Sequence, residues 1–314
     1  MRNLRFFLML SLVLSITACN RKSRVTRFDT MTSGVATILC EDCFSPIMKE
    51  QIDVFQGLNP EAQINPIYTD EVTGMNLLLK DSIRLMVAAR DLTGKEFNYL
   101  KSLQLRPRSQ RIAVDGIALI INKRNLDSLI SVSTIKQIMT GDIKNWKEMN
   151  PTSNLGAIRV VFDNANSSTV RYVRDSICKG SAFSANIKAM KTNKDVIDYV
   201  SNTSNAIGII GVSWISNRKD SSSLSFIEQI RVMSVSPYDE ARLDNSYKPF
   251  AAYLALHKYP MVRDIYMITT DIPGSLPAGL LHFTAGDRGQ RLMLKLGLVP
   301  ANRPMRIVNV RSEM

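Results

Sequence analysis

The chain has 314 residues, is 45% hydrophobic and carries a formal net charge of +12. Its excess of Lys and Arg favours an anionic partner, either a small ligand or a polyanionic surface, whereas the lack of a dense basic run or an aromatic-basic module disfavours nucleic acid. Because the chain is longer than a single compact core usually holds, we expect two lobes.

Residues 1–18 have the pattern of a bacterial lipoprotein signal. A positively charged start precedes the apolar run Phe6–Ile16, which is too short to span a bilayer. We predict that Cys19 becomes the lipidated N-terminus of a protein anchored in the cell envelope and facing the periplasm, with 19–33 as anchor and tether. The alternatives are cleavage without lipidation and a signal anchor, and the polar run directly after Cys19 disfavours both.

Three further cysteines form an odd set, so no disulfide framework is predicted. Cys40 and Cys43 make a C-x-x-C where an apolar run meets a helix, a position that thioredoxin-like redox sites also occupy. The intervening Glu41 and Asp42 oppose thiolate formation. We therefore interpret these two cysteines as a plain pair of thiols beside the site, oxidised or not, and keep a thiol-disulfide oxidoreductase as an alternative. Cys178 is the third cysteine.

The N-terminal third alternates strands and helices, which indicates a mostly parallel sheet covered by helices. In such a sheet ligands collect at the carboxyl ends of the strands, where we expect Asp42, Arg90 and the hydroxyl cluster 167–169. Asp42 is also the predicted N-cap of the first helix. The predicted elements are an apolar run at Val35–Leu39, a helix at Phe44–Phe55, a strand at Gln63–Tyr68, a helix at Thr73–Leu79, a strand at Ile83–Ala89 and a helix at Lys95–Leu103.

A long β-branched run, Arg111–Asn122, is interrupted by Asp115 and Gly116, and we predict a hinge between two lobes at this point. The elements predicted around and beyond it are helices at Ser133–Met139 (capped by Ser133 or Thr134) and Lys194–Val200, a strand at Ala206–Val212, an exposed loop at Ser216–Ser225, strands at Phe226–Val235, Pro249–Leu256 and Asp264–Thr270, one or two helices within Leu276–Leu296, and a last strand at Met305–Val310.

The stretch Ile158–Ile177 contains the candidate anion site. A predicted strand, Ile158–Phe162, leads through a polar turn into a helix that begins with three hydroxyl residues, Ser167, Ser168 and Thr169. The first backbone N–H groups of a helix have no helical partner and lie at the positive end of its dipole. Together with the hydroxyls and Arg171 they predict an oxyanion cradle. The alternative is an ordinary Ser/Thr helix cap.

Seven segments in order resemble the phosphate-binding proteins of ABC importers and their wider type II periplasmic binding-protein relatives, over about Gly34 to Pro304. These segments are Gly34–Pro46, Val114–Asn122, Thr134–Trp146, Asp163–Arg171, Ala206–Gly208, Tyr259–Tyr266 and Gly289–Pro300. The resemblance implies an α/β fold of two lobes, each a mostly parallel sheet flanked by helices, with the ligand cleft between them. It assigns 34–114 plus 257–314 to one lobe and 115–256 to the other.

The resemblance also implies a function, namely capture of a small oxyanion, phosphate first, by a monomer that delivers it to an ABC-importer permease. The expected ligand-binding residues are Asp42, Arg90, Asp91, Ser167, Ser168, Thr169 and Arg171, with no cofactor and no metal. The chain departs from the family pattern, since Phe162–Asn164 occupies the region where an Arg usually opens the phosphate loop. Ala89-Arg90-Asp91 stands where the family carries a Ser-Asp, so either Arg90 replaces that acid or Asp91 supplies it. The alternatives are another small ligand and a sensor or adaptor on the same fold.

An enzyme is not expected. The two histidines, His257 and His282, do not stand beside a Ser or Cys in a nucleophile motif. The sequence also has no Gly-rich nucleotide loop and no His/Cys/Asp metal cluster.

Overall fold

The computed structural model describes residues 29–216, 226–302 and 304, which form an α/β protein built on one curled sheet. The strands are β1 Gly34–Glu41, β2 Ala62–Thr69, β3 Leu85–Ala88, β4 Arg108–Asn122, β5 Leu129–Ser131, β6 Arg159–Phe162, β7 Ile187–Ala189, β8 Ala206–Gly211, β9 Ile230–Val232, β10 Ser234–Ser236, β11 Val262–Thr269 and β12 Val299–Pro300. Along the main path of the sheet they follow the order β2-β1-β3-β11-β4-β8-β6-β7, and β9 and β12 pair with β4. β5 and β10 form a separate two-stranded parallel sheet.

Helices cover both halves of this sheet. They are α1 Ser45–Leu58, α2 Glu71–Leu79, α3 Gly94–Ser102, α4 Val132–Thr140, α5 Trp146–Met149, α6 Ser168–Tyr172, α7 Asn193–Asn202, α8 Ala251–Ala255, α9 Leu276–Ala285 and α10 Asp287–Lys295. A π-helical turn, Val173–Ile177, continues α6. Within the described part of the chain, no helix is both long enough and apolar enough to cross a membrane.

The first half of the sheet combines parallel and antiparallel pairing. β1 runs parallel to β2 over eight residue pairs and parallel to β3, while β11 runs antiparallel to both β3 and β4. Alternating apolar residues of these strands pack under α1, α9 and α10, as the fully buried Ile38, Val87 and Ile265 show. The carboxyl ends of β1 and β2 therefore open on the same edge, which is where a ligand site forms in such sheets.

β4 connects the two halves without a break. Its residues up to Gly116 pair with β11, and Ile117–Ile121 pair with β8. The predicted interruption at Asp115-Gly116 is therefore not an interruption of the strand but the point where its partner changes. Beyond it, β8 runs parallel to β6 and β6 parallel to β7, whereas β4 pairs antiparallel with both β8 and β9.

Several predicted elements have different limits or types. Pro249–Leu256, predicted as a strand, contains helix α8, because a short apolar run rich in Ala fits either type and Ala favours a helix. Phe226–Val235 contains β9 and the start of β10 rather than one strand. Asp42 is not the N-cap of α1, because a 3₁₀ turn, Asp42–Phe44, precedes that helix and puts Phe44 at the cap.

Other element predictions are confirmed to within a few residues, including the alternating elements of the N-terminal third. α4 is capped by Ser131, two residues before the expected Ser133, and ends at Gly141, whose φ of +87° suits glycine. The lipoprotein signal, Cys19 and the predicted strand Met305–Val310 lie outside the described residues, as does most of the predicted loop Ser216–Ser225.

Candidate functional site

A cavity of about 240 Å³ lies between the two halves of the sheet, at the carboxyl ends of their strands. The first half contributes the ends of β1 and β2, and the second contributes the turn after β6 and the segment before α7. Four carboxylates and one lysine line it, namely Glu41, Asp42, Asp70, Asp163 and Lys191. Within the described ranges no group of three or more His, Cys, Asp or Glu side chains has the placement to hold a metal ion.

The predicted hydroxyl cluster lies at the start of α6, directly after the turn that follows β6. Ser167 is the N-cap: its Oγ accepts a hydrogen bond from the Val170 amide at 3.3 Å and donates one to Asp163 Oδ1 at 2.6 Å. Ser168 and Thr169 are fully buried. Ser167 therefore caps the helix and also lines the cavity.

A buried arginine on β11 holds this cluster in place. Arg263 donates through Nη1 to Ser168 Oγ at 2.6 Å and to Thr169 Oγ1 at 3.2 Å. Its Nε and Nη2 donate to Asp115 Oδ2 at 3.0 and 2.9 Å. Burial disfavours a charged guanidinium, but Asp115 outweighs that effect and raises the pKa of Arg263, so the group stays charged.

The glycine that ends β8 leaves room for this ion pair. A Cβ at Gly211 would lie 3.0 Å from Arg263 Nη2 and 3.3 Å from Asp115 Oδ2. The other face of the guanidinium lies over the Phe44 ring, 4.8 Å from its centroid. The arginine is therefore fixed by the strands and the core, so its position does not depend on a ligand.

Glu41, the last residue of β1, reaches across the cavity to the hydroxyl cluster. Its Oε1 accepts a hydrogen bond from the Ser168 backbone amide at 2.7 Å, and its side chain is fully buried. Burial and the nearby Glu71 raise the pKa of Glu41 to about 7, against the opposing effects of Arg263 and Ser168. A carboxylate of the chain itself therefore occupies part of the predicted oxyanion cradle.

The cysteines of the C-x-x-C are buried free thiols. Cys43 donates to Asp163 Oδ2 at 2.9 Å and lies 3.3 Å from Thr169 Oγ1. Burial, reinforced by nearby carboxylates, raises the pKa of both Cys40 and Cys43 well above the usual range. A redox cysteine needs an accessible thiolate, so the surroundings of this pair count against the oxidoreductase alternative. Cys178 is also a buried free thiol.

Asp42 and Ser167 line the cavity, whereas the predicted arginines do not. Asp42 Oδ2 accepts a hydrogen bond from Asn193 Nδ2 at 3.1 Å. Arg90 forms a two-point ion pair with Glu96, at 2.7 and 2.8 Å, and the neighbouring Asp91 is exposed.

Arg171 pairs across the two halves of the molecule. Its Nε and Nη2 donate to the two carboxylate oxygens of Glu71 at 2.5 and 3.0 Å. Glu71 is only 4% exposed in its side chain and Arg171 is 31% exposed. The structure therefore assigns both predicted guanidiniums, Arg90 and Arg171, to carboxylates of the chain.

Sequence reasoning missed two residues that organise the site, Glu41 and Arg263. A signal existed for both. Asp115 and Arg263 are charged residues inside otherwise apolar strands, and buried charges are paired in folded proteins. Glu41 stands at the carboxyl end of a buried strand, and from the sequence it is interpreted only through its effect on the neighbouring cysteines.

A family model described as a PBP (periplasmic binding protein) superfamily domain matches residues 29–288. Among characterised sequences, the chain is 22% identical over 265 residues to the phosphate-binding protein PstS of Borreliella burgdorferi, covering 81% of this chain and 86% of that protein. It is 20% identical over 239 residues to PstS of Staphylococcus haemolyticus, covering 73% and 74%.

Solved structures show the same fold. A Clostridium perfringens protein with bound phosphate superimposes with a TM-score of 0.71 at 20% identity, over 85% of this chain and all of that one. An ABC-type phosphate transport receptor from Vibrio cholerae gives a TM-score of 0.62 at 19% identity, with the same coverage.

Proposed function

Because the chain belongs to the periplasmic binding protein superfamily, we propose that it is an extracytoplasmic solute-binding protein that captures a small oxyanion, phosphate first, for an ABC importer. The relatives that support the proposal are named as phosphate-binding proteins and a phosphate transport receptor. These are binding proteins rather than enzymes, so the proposed function has no chemical step.

The observation that carries the proposal is the convergence of fixed donors on one end of the cavity. Ser167 lines the cavity, the neighbouring Ser168 amide donates to the cavity residue Glu41, and Arg263 holds the hydroxyls of Ser168 and Thr169 in place. Hydrogen bonds to a charged group contribute about 1.5–3 kcal/mol each. A few of them support micromolar affinity once the cost of lobe closure is subtracted.

The carboxylates of the cavity favour an oxyanion that still carries a proton. Hydrogen phosphate has a P–OH that donates to a carboxylate, whereas sulfate has no proton near neutral pH. Asp42 and Asp163 both line the cavity. Asp163 already accepts from Ser167 and Cys43 through its two oxygens, so we propose Asp42, which accepts from Asn193 through Oδ2, as the acceptor of this proton. An unprotonated anion beside them would meet only repulsion. We therefore propose phosphate over sulfate as the ligand.

The test is a calorimetric titration of the purified protein with phosphate and with sulfate, supported by thermal shift. A ligand at about 100 times its dissociation constant adds about 2.7 kcal/mol to stability. Phosphate is expected to bind and sulfate to bind at least tenfold more weakly. Equal affinities, or no binding of either anion, would contradict the proposal.

A matched pair of cap variants separates a ligand role from a structural one. Ser167 and Ser275 each cap a helix with the same 3.3 Å bond to an amide three residues on, but only Ser167 lines the cavity. Each change to Ala should cost about 1 kcal/mol of stability. Only Ser167→Ala should also weaken phosphate binding, by about tenfold. Equal phosphate affinity in the two variants would leave Ser167 as a cap alone.

A second candidate ligand follows from the same cavity. The cavity is lined by four carboxylates and one lysine, and this excess of negative charge favours a ligand that carries an ammonium group. The protein would still be a solute-binding protein of an importer. Amino acids and small polyamines therefore belong in the same thermal-shift screen. A response to an amine together with none to phosphate would replace the phosphate assignment.

We also propose the lobe limits 34–114 plus 257–314 and 115–256, a lipid anchor at Cys19, a monomeric state and an ABC permease as partner. The permease partner is supported by a relative named as an ABC-type phosphate transport receptor. The lipid anchor is supported by the signal pattern that ends at Cys19. Labelling with a clickable fatty acid should be lost in Cys19→Ala. Equal labelling of both proteins would remove the anchor.

A further inference from the structure

Glu41 differs from the other carboxylates of the cavity in being fully buried while one of its oxygens has no partner. Oε1 accepts the Ser168 amide at 2.7 Å, whereas Oε2 has no hydrogen-bond partner among the described residues. The side chain belongs to β1 and the amide to the first residue of α6, so the bond crosses from one half of the molecule to the other. It takes a donor that an oxyanion would use.

The surroundings of Glu41 are those of a ligand oxyanion. The guanidinium of Arg263 lies behind Ser168, and its electrostatic effect favours the charged carboxylate. Glu71 acts in the opposite direction. A second anion placed at the same amide would meet the full charge of Glu41 in a site with little water to screen it.

We infer that the Glu41 carboxyl group is an internal ligand of the oxyanion site, which a captured anion must displace from the Ser168 amide. This inference rests on the proposed function for the identity of the anion, but the internal ligand itself is a property of the chain. Glu41 thereby sets the affinity of the cleft, because part of the binding free energy of the anion is used to remove the carboxylate.

Chemical rescue tests the internal ligand without phosphate. Glu41→Ala removes a CH₂–COO⁻ group, which acetate matches in size and charge. Acetate should therefore bind Glu41→Ala and raise its melting temperature, with little effect on the wild type at the same ionic strength. The matched control is Glu96→Ala, which also removes a carboxylate bonded to a backbone amide and near an arginine, but at a partly exposed position. No selective rescue of Glu41→Ala would overturn the inference.

Glu41→Gln provides the second measurement and keeps the shape of the side chain. Its amide oxygen still accepts from Ser168, so the variant is expected to fold. The loss of charge should tighten phosphate binding by about tenfold or more. Phosphate binding that is equal in wild type and Glu41→Gln would overturn the inference and leave the proposed function intact. Selective acetate rescue with no phosphate binding in any variant would support the internal ligand and reject phosphate.

Discussion

Two glutamates, one in the cleft and one on the rim, make similar bonds but have opposite electrostatics. Glu41 accepts from the Ser168 amide with Arg263 behind it, and burial raises its pKa to about 7. Glu96 accepts from the Thr93 amide and from Arg90, and these bonds lower its pKa to about 2. The pKa values differ because the two carboxylates differ in solvent exposure and in the number of hydrogen bonds that they accept. Glu96 uses both oxygens and stays partly exposed, whereas Glu41 is buried with one oxygen unpartnered.

This comparison separates a structural carboxylate from one available for function. The bond of Glu96 to the Thr93 amide completes a capping box, and its ion pair with Arg90 satisfies its charge locally. Glu41, in contrast, accepts one hydrogen bond through Oε1 and none through its buried Oε2, so its charge is only partly satisfied. The fold alone does not determine which anion uses those donors, because function lives in the site that a fold carries.

The largest expected effect concerns the two arginines behind these glutamates. Arg263→Met leaves Asp115 as an unpaired charge that is fully buried, and losses of about 3–5 kcal/mol are typical of such a change. Arg90→Met is the matched control, since its pair with Glu96 is partly exposed, and we expect a loss of about 1 kcal/mol. Urea unfolding of both variants measures the difference. Equal losses of stability would show that burial does not make the Arg263–Asp115 pair more important than the Arg90–Glu96 pair.

The second prediction concerns how stability depends on the ionisation of Glu41. Its pKa rises from 4.5 to about 7 on folding. Because the folded state disfavours the charged form of Glu41, ionisation of this group lowers the free energy of unfolding. This loss of stability is absent below pH 4.5, grows as the pH rises to 7 and is complete above it. It amounts to about 3 kcal/mol. The charged and titratable groups facing Glu41 are Cys40, Asp42, Cys43, Glu71, Asp163 and Arg263.

Glu41→Gln isolates this effect, because the other groups titrate in both proteins. Unfolding free energies measured from pH 4.5 to 7.5 should fall more steeply with pH in the wild type than in the variant. Parallel curves would mean that Glu41 does not take up a proton on folding, and the contrast with Glu96 would lose its electrostatic basis.

The strands, the helices and the hydroxyl cluster were predictable from the sequence because they depend on local patterns. The spacing of apolar residues indicates the alternating strands and helices from β1 to α3, and the Ser-Ser-Thr run indicates the start of α6. Arg90 pairs with Glu96, a partner that the capping-box pattern of Thr93 and Glu96 places nearby in the sequence. Such local partners should be considered before a ligand is.

The partners of Glu41 and Arg263 could not be read in the same way. Arg263 lies 148 residues from Asp115 and 95 from Ser168, and Glu41 lies 127 residues from Ser168. These contacts depend on how β11 aligns with β4 and on how the two halves of the sheet face each other. Sequence spacing carries no information on either, so the site became clear only from the fold.

The third prediction concerns Arg171, which is partly exposed while its partner Glu71 is nearly buried. Its pair with Glu71 joins the two halves of the molecule. Because Glu71 is only 4% exposed in its side chain, Arg171→Ala leaves a nearly buried carboxylate without its partner, and we expect a loss of about 2 kcal/mol, between the values typical of exposed and buried pairs. In a double-mutant cycle with Glu71→Gln, the coupling energy between the two residues should account for most of this loss. Phosphate affinity measured on the same variants checks the predicted ligand role: a tenfold loss in Arg171→Ala would place its guanidinium on the anion.

The smallest expected effect concerns Glu96, and its sign is opposite to that of Glu41. Its pKa falls from 4.5 to about 2 on folding, chiefly because Arg90 donates to both oxygens. A lowered pKa stabilises the folded state above pH 4.5, and this contribution is lost as the pH falls toward 2. The pair is partly exposed and screened by solvent, so we expect about 1 kcal/mol or less. Glu96→Gln should therefore be less stable than the wild type at pH 6 and approach it at pH 2.5, whereas Glu41→Gln should gain its advantage only as the pH rises. Unfolding curves for both variants across this range test the contrast, and a wild-type advantage over Glu96→Gln that persists at pH 2.5 would show that the contribution of Glu96 is not electrostatic.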